Sequence, residues 1–151
     1  MAAMPHDPER DLQAIVDLMV EYQAQLPPDL YPDSDPAFAF QQLAEAYQGG
    51  GLVYAIEWDG ERAKGCLVLA LYNAFWSPAH LGANDMIFYV RPAYRGRTGL
   101  RLIKEAEAKA KAAGATRIEM NNVAPEHFAS VDKLYRHLGY VPTCTTYEKG
   151  L

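Results

Sequence analysis

Val90-Arg91-Pro92-Ala93-Tyr94-Arg95-Gly96-Arg97-Thr98-Gly99-Leu100-Arg101-Leu102-Ile103 is the stretch on which the reading turns. The apolar run Met86 to Val90 predicts a strand buried on both sides, and Arg91-Pro92 ends it. Ala93 to Thr98 reads as a turn. A helix then begins at about Thr98, with Leu102, Ile103, Ala106, Ala110 and Ala113 as its buried face and Gly114 as its C-cap. Glu105 to Lys109 and Glu107 to Lys111 are i,i+4 pairs on its outer face. Backbone N–H groups at a helix start have no intrahelical acceptor, and the helix dipole adds positive potential there. Such a corner suits phosphate. Glycines let the main chain approach a ligand closely, and arginines add charge-assisted hydrogen bonds. The Gly-Lys-Ser/Thr of a Walker loop is absent, as are the three spaced glycines of a dinucleotide fold.

Upstream, Asp7 and Pro8 start a helix that reads to Leu26, with Leu12, Ile15, Val16, Met19 and Leu26 on one face, and Pro27-Pro28 ends it. Residues 28–36 read as a Pro/Asp-rich loop. Asp35-Pro36 starts a second helix to about Tyr47, striped by Phe40, Leu43 and Tyr47 and stopped by Gly49-Gly50-Gly51. Leu52 to Trp58 and Ala63 to Tyr72 predict strands joined by an Asp59-Gly60 hairpin turn. Asn73 to Ala83 reads as a loop with aromatic anchors. Downstream, Arg117 to Asn121 is a short strand. Glu126 to Leu138 is a helix striped by Phe128, Val131, Leu134, Tyr135 and Leu138 and capped by Gly139. Tyr140 to Lys149 predicts a last strand on the β preference of Thr-Cys-Thr-Thr-Tyr. The order is α/β, one sheet with helices on its faces.

The chain has 151 residues, enough for a single domain over 1–151. Apolar residues at 50% and charged residues at 22% exclude disorder and collagen-like repeats. No stretch reaches 18 apolar residues, which speaks against a membrane partner; the first residues show no secretory leader. Two distant cysteines, Cys66 and Cys144, predict a reduced, cytoplasmic setting and buried, inert thiols. The net charge of −5 speaks against nucleic acid. Its distribution says more: residues 1–60 hold eleven acids and one base, whereas Arg91, Arg95, Arg97, Arg101 and Lys104 form a run with no acid inside it. That pattern predicts one anionic ligand at one place; a solvated helix face reads equally well from charge alone. The four histidines lack metal spacing, so no metal site is expected.

The quoted stretch resembles the acetyl-coenzyme A signature of the GNAT acetyltransferase superfamily: a strand running into Tyr-Arg-Gly, a glycine turn, and a helix opening on two aliphatics. Arg95-Gly96 matches the entry and Gly99 the last small residue, with one residue fewer between them and Thr98 where glycine is common. Leu134-Tyr135-Arg136-His137-Leu138-Gly139-Tyr140 resembles the family's Tyr-x-x-Leu-Gly-Tyr element. The family's usual Asn, seven residues before that Tyr, is Phe128 here, so the cofactor contact made there is either absent or supplied by Asn121 or Asn122. The family's first strand has only residues 1–6 left to form it.

The resemblance implies a mixed, mostly antiparallel central sheet flanked by helices on both faces. It implies acetyl-CoA as cosubstrate, no metal, a small-molecule or peptide amine as acceptor, direct attack by that amine, and room for a homodimer. Backbone amides from Arg95 through Gly96, Arg97, Thr98 and Gly99 to Leu100 would cradle the pyrophosphate. The main chain of Phe88, Tyr89 and Val90 would pair with the pantetheine arm as an added strand. Tyr135 would donate to the departing thiolate; from the residues alone it reads as part of an apolar stripe. For the general base the carboxylates are Asp85, Glu119, Glu126 and Glu57, with bulk water as the alternative. Asp85 is preferred because it starts the strand whose other end meets the cofactor and would face the splay in the sheet; a cap on the loop-to-strand turn is its alternative role. The acceptor side would be the loop between the first two helices, where Tyr31, Asp33 and Asp35 would draw in a cationic amine. A non-catalytic acyl-CoA-binding domain and an interaction protein that keeps only the fold are the competing readings.

Overall fold

The computed structural model describes residues 5–28, 33–123 and 125–151. Two helices come first. α1 spans Pro8–Gln23, and its N-cap Asp7 accepts the Arg10 N–H at 3.2 Å. It ends three residues earlier than its apolar pattern suggests, because the ring of Pro27 would collide with the Gln23 carbonyl four residues back. α2 spans Pro36–Gln48, capped by the Asp35 carboxylate on Phe38 N–H at 3.0 Å.

β1 (Leu52–Asp59) and β2 (Arg62–Asn73) form the expected hairpin, with Gly60 supplying a positive φ of 57°. β3 runs over Leu81–Val90, and β4 over Arg117–Glu119. α3 is Arg97–Ala112 and α4 Phe128–His137, with short 3-10 turns at Pro92–Tyr94 and Pro125–His127. The sheet order is β1-β2-β3-β4, antiparallel except for the parallel β3–β4 pair. α1 and α2 cover one face through Leu12, Ile15, Val16, Leu18 and Leu43. α3 and α4 cover the other through Leu102, Ile103, Ala106, Ala110 and Tyr135. This is the α/β arrangement of a mixed sheet between two helical layers. No helix among the described residues is long and apolar enough to cross a membrane.

Several expectations need correction. β3 begins at Leu81 rather than Met86, so the connecting loop shrinks to residues 74–80. Its aromatics are no anchors: Phe75 is 95% exposed and stacks edge-on with Trp76 at 4.9 Å. Met86 is 56% exposed, against the expected burial. The cause is a bulge: Val68 pairs with Ile87 and Leu69 with Asp85, leaving Met86 as the extra residue. Last, residues 140–151 form no strand. β preference expresses itself only against a neighbour that accepts the ladder; here Tyr147 is 90% exposed and Cys144 is exposed too, not buried as expected. Packing holds through Tyr140, whose hydroxyl donates to Glu107 at 2.7 Å. That contact takes Glu107 in place of a pair with Lys111. Ala113, expected in the buried face, is exposed, and so is Phe128.

Candidate active site

Strand alternation sets what β3 offers. The Arg91 N–H bonds to Lys64 O at 2.9 Å, and Tyr89 pairs with Cys66. The main-chain groups of Phe88 and Val90 therefore point to the other edge. β4 reaches only to Asn84 on that side, so among the described residues no strand pairs with β3 there from Asp85 to Val90. Of the three main-chain segments expected to hold a cofactor, Phe88 and Val90 face the open edge; Tyr89 faces β2, and its hydroxyl accepts from Gln25 at 2.9 Å. The Phe88 ring meets α3 at Gly99, where an added Cβ would lie 3.5 Å from it, an ordinary contact.

The open edge runs into the glycine turn. Gly96 has φ 111° and ψ −118°, a conformation that L side chains rarely adopt. As N-cap of α3 it brings no capping side chain, so the first-turn amides of Arg97, Thr98, Gly99 and Leu100 have no intrahelical acceptor. The Arg95 N–H is bonded to Pro92 O at 3.4 Å. Thr98 is buried, and its Oγ1 accepts from Arg101 at 3.2 Å.

The basic run divides by role. Arg91 clamps Glu21 and donates to Ala63 O at 2.6 Å, which makes it a brace between β3, α1 and the hairpin. Arg101 is paired with Glu57. The Arg95 Nε donates to Val90 O at 3.2 Å, and its Nη1 lies 3.0 Å from His127 Nε2. Arg97 and Lys104 are exposed and make no ion pair among the described residues.

Where β3 and β4 part, Asp85 and Tyr135 come together around Asn121. Both Asp85 carboxylate oxygens accept the Asn121 N–H at 3.1 Å, and the Asn121 side-chain amide also donates to Asp85. The Tyr135 hydroxyl donates to the Asn121 carbonyl at 3.0 Å. Burial raises the Asp85 pKa to about 6, against the lowering effect of the Asn121 backbone and side-chain bonds. Burial also pushes the Tyr135 hydroxyl well above the usual phenol range, and the Asp85 charge adds to it. The bulge makes this meeting possible. Ala83 packs on the α3 side and so, two residues on, does Asp85; the extra residue Met86 then returns Ile87 and Tyr89 to the α1 side. Asp85 thus lies within β3, not at its start as expected.

The other carboxylates are committed elsewhere. Glu57 is paired with Lys64 and Arg101, and Glu119 accepts from Tyr72 at 2.8 Å beside Arg117. Glu126 sits in the 3-10 turn before α4, exposed. On the acceptor side, Asp33 is exposed, the Asp35 carboxylate is used as the α2 cap, and Tyr31 lies outside the described residues. A cleft of about 810 Å³ lined by Arg10, Trp58, Arg62 and Arg91 lies beside α1 and includes neither Asp85 nor Tyr135.

Two features escaped the sequence: the bulge at Met86, and Asn121 as the hub. A third is Asn122. Its amide nitrogen donates to Phe128 O at 2.9 Å, while its buried Oδ1 has no donor among the described residues. Phe128 in place of the family's usual Asn points to the Asn121-Asn122 pair, but to a cofactor contact and not to the hold on Asp85.

The acetyltransferase (GNAT) family model matches residues 13–140. No curated protein matches at the sequence level. Among solved structures, glucosamine-6-phosphate N-acetyltransferase from Arabidopsis thaliana superposes with a TM-score of 0.70 at 11% identity, covering 97% of this chain and 95% of that one. An aminoglycoside antibiotic 6'-N-acetyltransferase from Acinetobacter haemolyticus gives 0.65 at 18% identity, covering 100% and 99%. Ribosomal-protein-alanine N-acetyltransferase from Brucella melitensis biovar Abortus 2308 gives 0.65 at 19%, covering 95% of each. At these identities the likeness concerns the fold.

Proposed function

The chain belongs to the acetyltransferase (GNAT) family, and from that premise we propose that it is an N-acetyltransferase moving acetyl from acetyl-CoA to a primary amine by direct attack. One observation carries the reading: an unpaired strand edge at Phe88 and Val90 leads straight into an uncapped helix start at Gly96. The donor set fits the cosubstrate. A strand-like pantetheine arm needs main-chain partners, a pyrophosphate needs free amides, and the buried Asn122 Oδ1 lacks the N–H donor that a pantetheine amide would bring. Acetyl-CoA, when bound, supplies the acetyl group as a thioester.

The chain's own groups then have distinct tasks. Phe88 and Val90 orient the arm through backbone N–H and C=O, and an outward N–H of this edge polarises the acyl oxygen. Arg95 gives up Val90 O when that carbonyl takes another donor, which frees its guanidinium. Asp85 accepts a proton from the acceptor amine: ionised above about pH 6, it is poised near neutrality. An alkylamine near pKa 10.4 needs about 4–5 kcal/mol to become neutral at pH 7, so a base in place lowers a real barrier. Tyr135, with its pKa raised, stabilises a leaving thiolate by turning its one hydroxyl hydrogen from the Asn121 carbonyl to the sulfur, rather than by full proton transfer. A cytoplasmic location accords with Cys66 and Cys144, both free thiols.

The test is thermal. Coenzyme A at 100 times its dissociation constant adds about 2.7 kcal/mol of stability, an upward shift of roughly 5–10 °C for a chain of this size. Thiol release on an amine panel then reports turnover. Absence of a shift rejects the reading; a shift without thiol release favours a binding module. Arg97→Ala weakens coenzyme affinity about tenfold and leaves the unliganded melting temperature unchanged, since Arg97 makes no ion pair among the described residues.

The three solved neighbours are named for different acceptors, a sugar phosphate, an aminoglycoside and a ribosomal protein, so the fold does not select one. The acidic N-terminal part, eleven acids against one base over residues 1–60, favours a cationic amine here. Asp33→Asn therefore raises KM for a cationic acceptor a few-fold at low salt and leaves a neutral one unaffected. Equal KM values for the cationic acceptor in both proteins would remove Asp33 from the acceptor side.

A further inference from the structure

We propose that Asn121 is the positioning residue of the reaction centre, holding the Asp85 carboxylate and the Tyr135 hydroxyl in one hydrogen-bonded unit across the gap between β3 and β4. The inference rests on the acetyltransferase reading of that site and adds to it a residue with no chemistry of its own.

The geometry is that of a ladder continued by a side chain. β3 and β4 pair in parallel as far as Asn84 and Glu119. Two residues on, the Asn121 N–H finds no backbone carbonyl; it donates instead to both Asp85 carboxylate oxygens at 3.1 Å. The carboxylate thus occupies the acceptor position of the next rung. The Asn121 carbonyl meanwhile takes the Tyr135 hydroxyl at 3.0 Å. Base and hydrogen-bond donor, contributed by β3 and α4, are therefore referenced to a single residue through the two peptide groups that flank its Cα. The Asn121 side chain adds what the main chain cannot: its amide nitrogen donates to Asp85 and also reaches Asn84 Oδ1 at 3.3 Å. A carboxylate held by donors on one side keeps its remaining lone pairs directed at the open edge, where the amine must arrive.

This arrangement also sets the protonation of Asp85. Donors to the charged form favour it, and burial opposes it. The titratable groups that face Asp85 are Tyr135 of α4 and Tyr140 just beyond it, both neutral through the working range, and β2 presents Leu69 opposite. Asn121 is thus the main opponent of desolvation at this site.

Asn121→Ala deletes the side-chain amide and keeps the N–H and C=O. Read by carboxyl-carbon NMR on the full chain, the Asp85 titration moves upward by about one pH unit. The acidic limb of kcat/KM for the amine moves with it, while KM for acetyl-CoA stays at its wild-type value. Asn121→Ser restores a donor and returns part of the shift. An unchanged Asp85 titration and an unchanged limb in Asn121→Ala overturn the proposal, as does a limb that moves equally in Asn121→Ala and Asn121→Ser. The NMR titration needs no turnover: an inert wild-type protein whose Asp85 still shifts in Asn121→Ala would reject the acetyltransferase reading and leave Asn121's hold on Asp85 standing.

Discussion

Asp85→Asn lowers kcat/KM by at least about 10²-fold, the usual cost of losing a positioned base, and it makes the folded chain less sensitive to pH. Both effects come from one carboxylate. Asp85 titrates near 6 in the folded chain and near 3.8 unfolded, because burial penalises its charge. The folded state therefore binds this proton more tightly than the unfolded one. The stability linked to the protonated carboxyl is complete below about pH 3.8 and is lost as pH rises through 6. The difference of about two pH units corresponds to about 3 kcal/mol. Asparagine has the same shape and no charge to desolvate, so the variant lacks this loss. Urea unfolding at pH 4 and pH 8 measures it: the wild-type chain loses up to about 3 kcal/mol more than Asp85→Asn over that interval. An Asp85→Asn enzyme with wild-type turnover and an intact acidic limb would place the base elsewhere. A half-buried carboxylate that destabilises its own fold at working pH is the pattern expected of a site retained for chemistry.

What the sequence discloses about this molecule depends on whether the interaction is local. Asp7-Pro8 and Asp35-Pro36 mark their helix starts correctly because a cap bonds within three residues of itself. The glycine turn between Val90 and α3 is legible for the same reason. The bulge at Met86 is not. It exists only as a mismatch between β2 and β3, and a continuous apolar run looks identical with or without it. Asn121 is hidden likewise, since its meaning lies in Asp85, 36 residues earlier in the chain. The basic run misleads in a third way. Charge is counted along the chain, but Arg91 and Arg101 are cancelled by Glu21 and Glu57, which are distant in sequence. Asp35 carries two sequence readings, a helix start and an acid of the acceptor side, and its carboxylate caps α2. The last twelve residues mark the limit of propensity: Thr145, Thr146 and Tyr147 favour a strand, yet residues 140–151 pair with none.

Gly65→Val unfolds the chain about 6–12 °C earlier and removes coenzyme binding along with the lost stability. Gly65 sits in β2 opposite Val90, the last residue of β3. A Cβ built there lies 2.5 Å from Tyr89 O and 2.9 Å from Val90 Cα. Both are backbone atoms, so no side chain can turn away to make room; the strands themselves must separate. Separation strains or breaks the Arg91 N–H to Lys64 O bond at 2.9 Å and the neighbouring Cys66–Tyr89 pair. Overpacking of this kind costs about 1–3 kcal/mol, and each weakened ladder bond adds about 1 kcal/mol. A total near 3 kcal/mol lowers the melting temperature by the amount stated. The functional loss follows from position. Val90 carries the outward main-chain groups at the end of the open edge, immediately before the turn that leads to Gly96, so displacing it moves both halves of the candidate cofactor site at once. Gly60→Ala is the control. Gly60 also lies in the β1–β2 hairpin, but at the turn, where a Cβ meets nothing within 4 Å and only the positive φ of 57° is strained. That variant loses about 1 kcal/mol and keeps its coenzyme affinity. Were Gly65→Val to melt with the wild-type chain, β2 and β3 could not approach as closely as this register requires, and the open edge at Val90 would have to be drawn again.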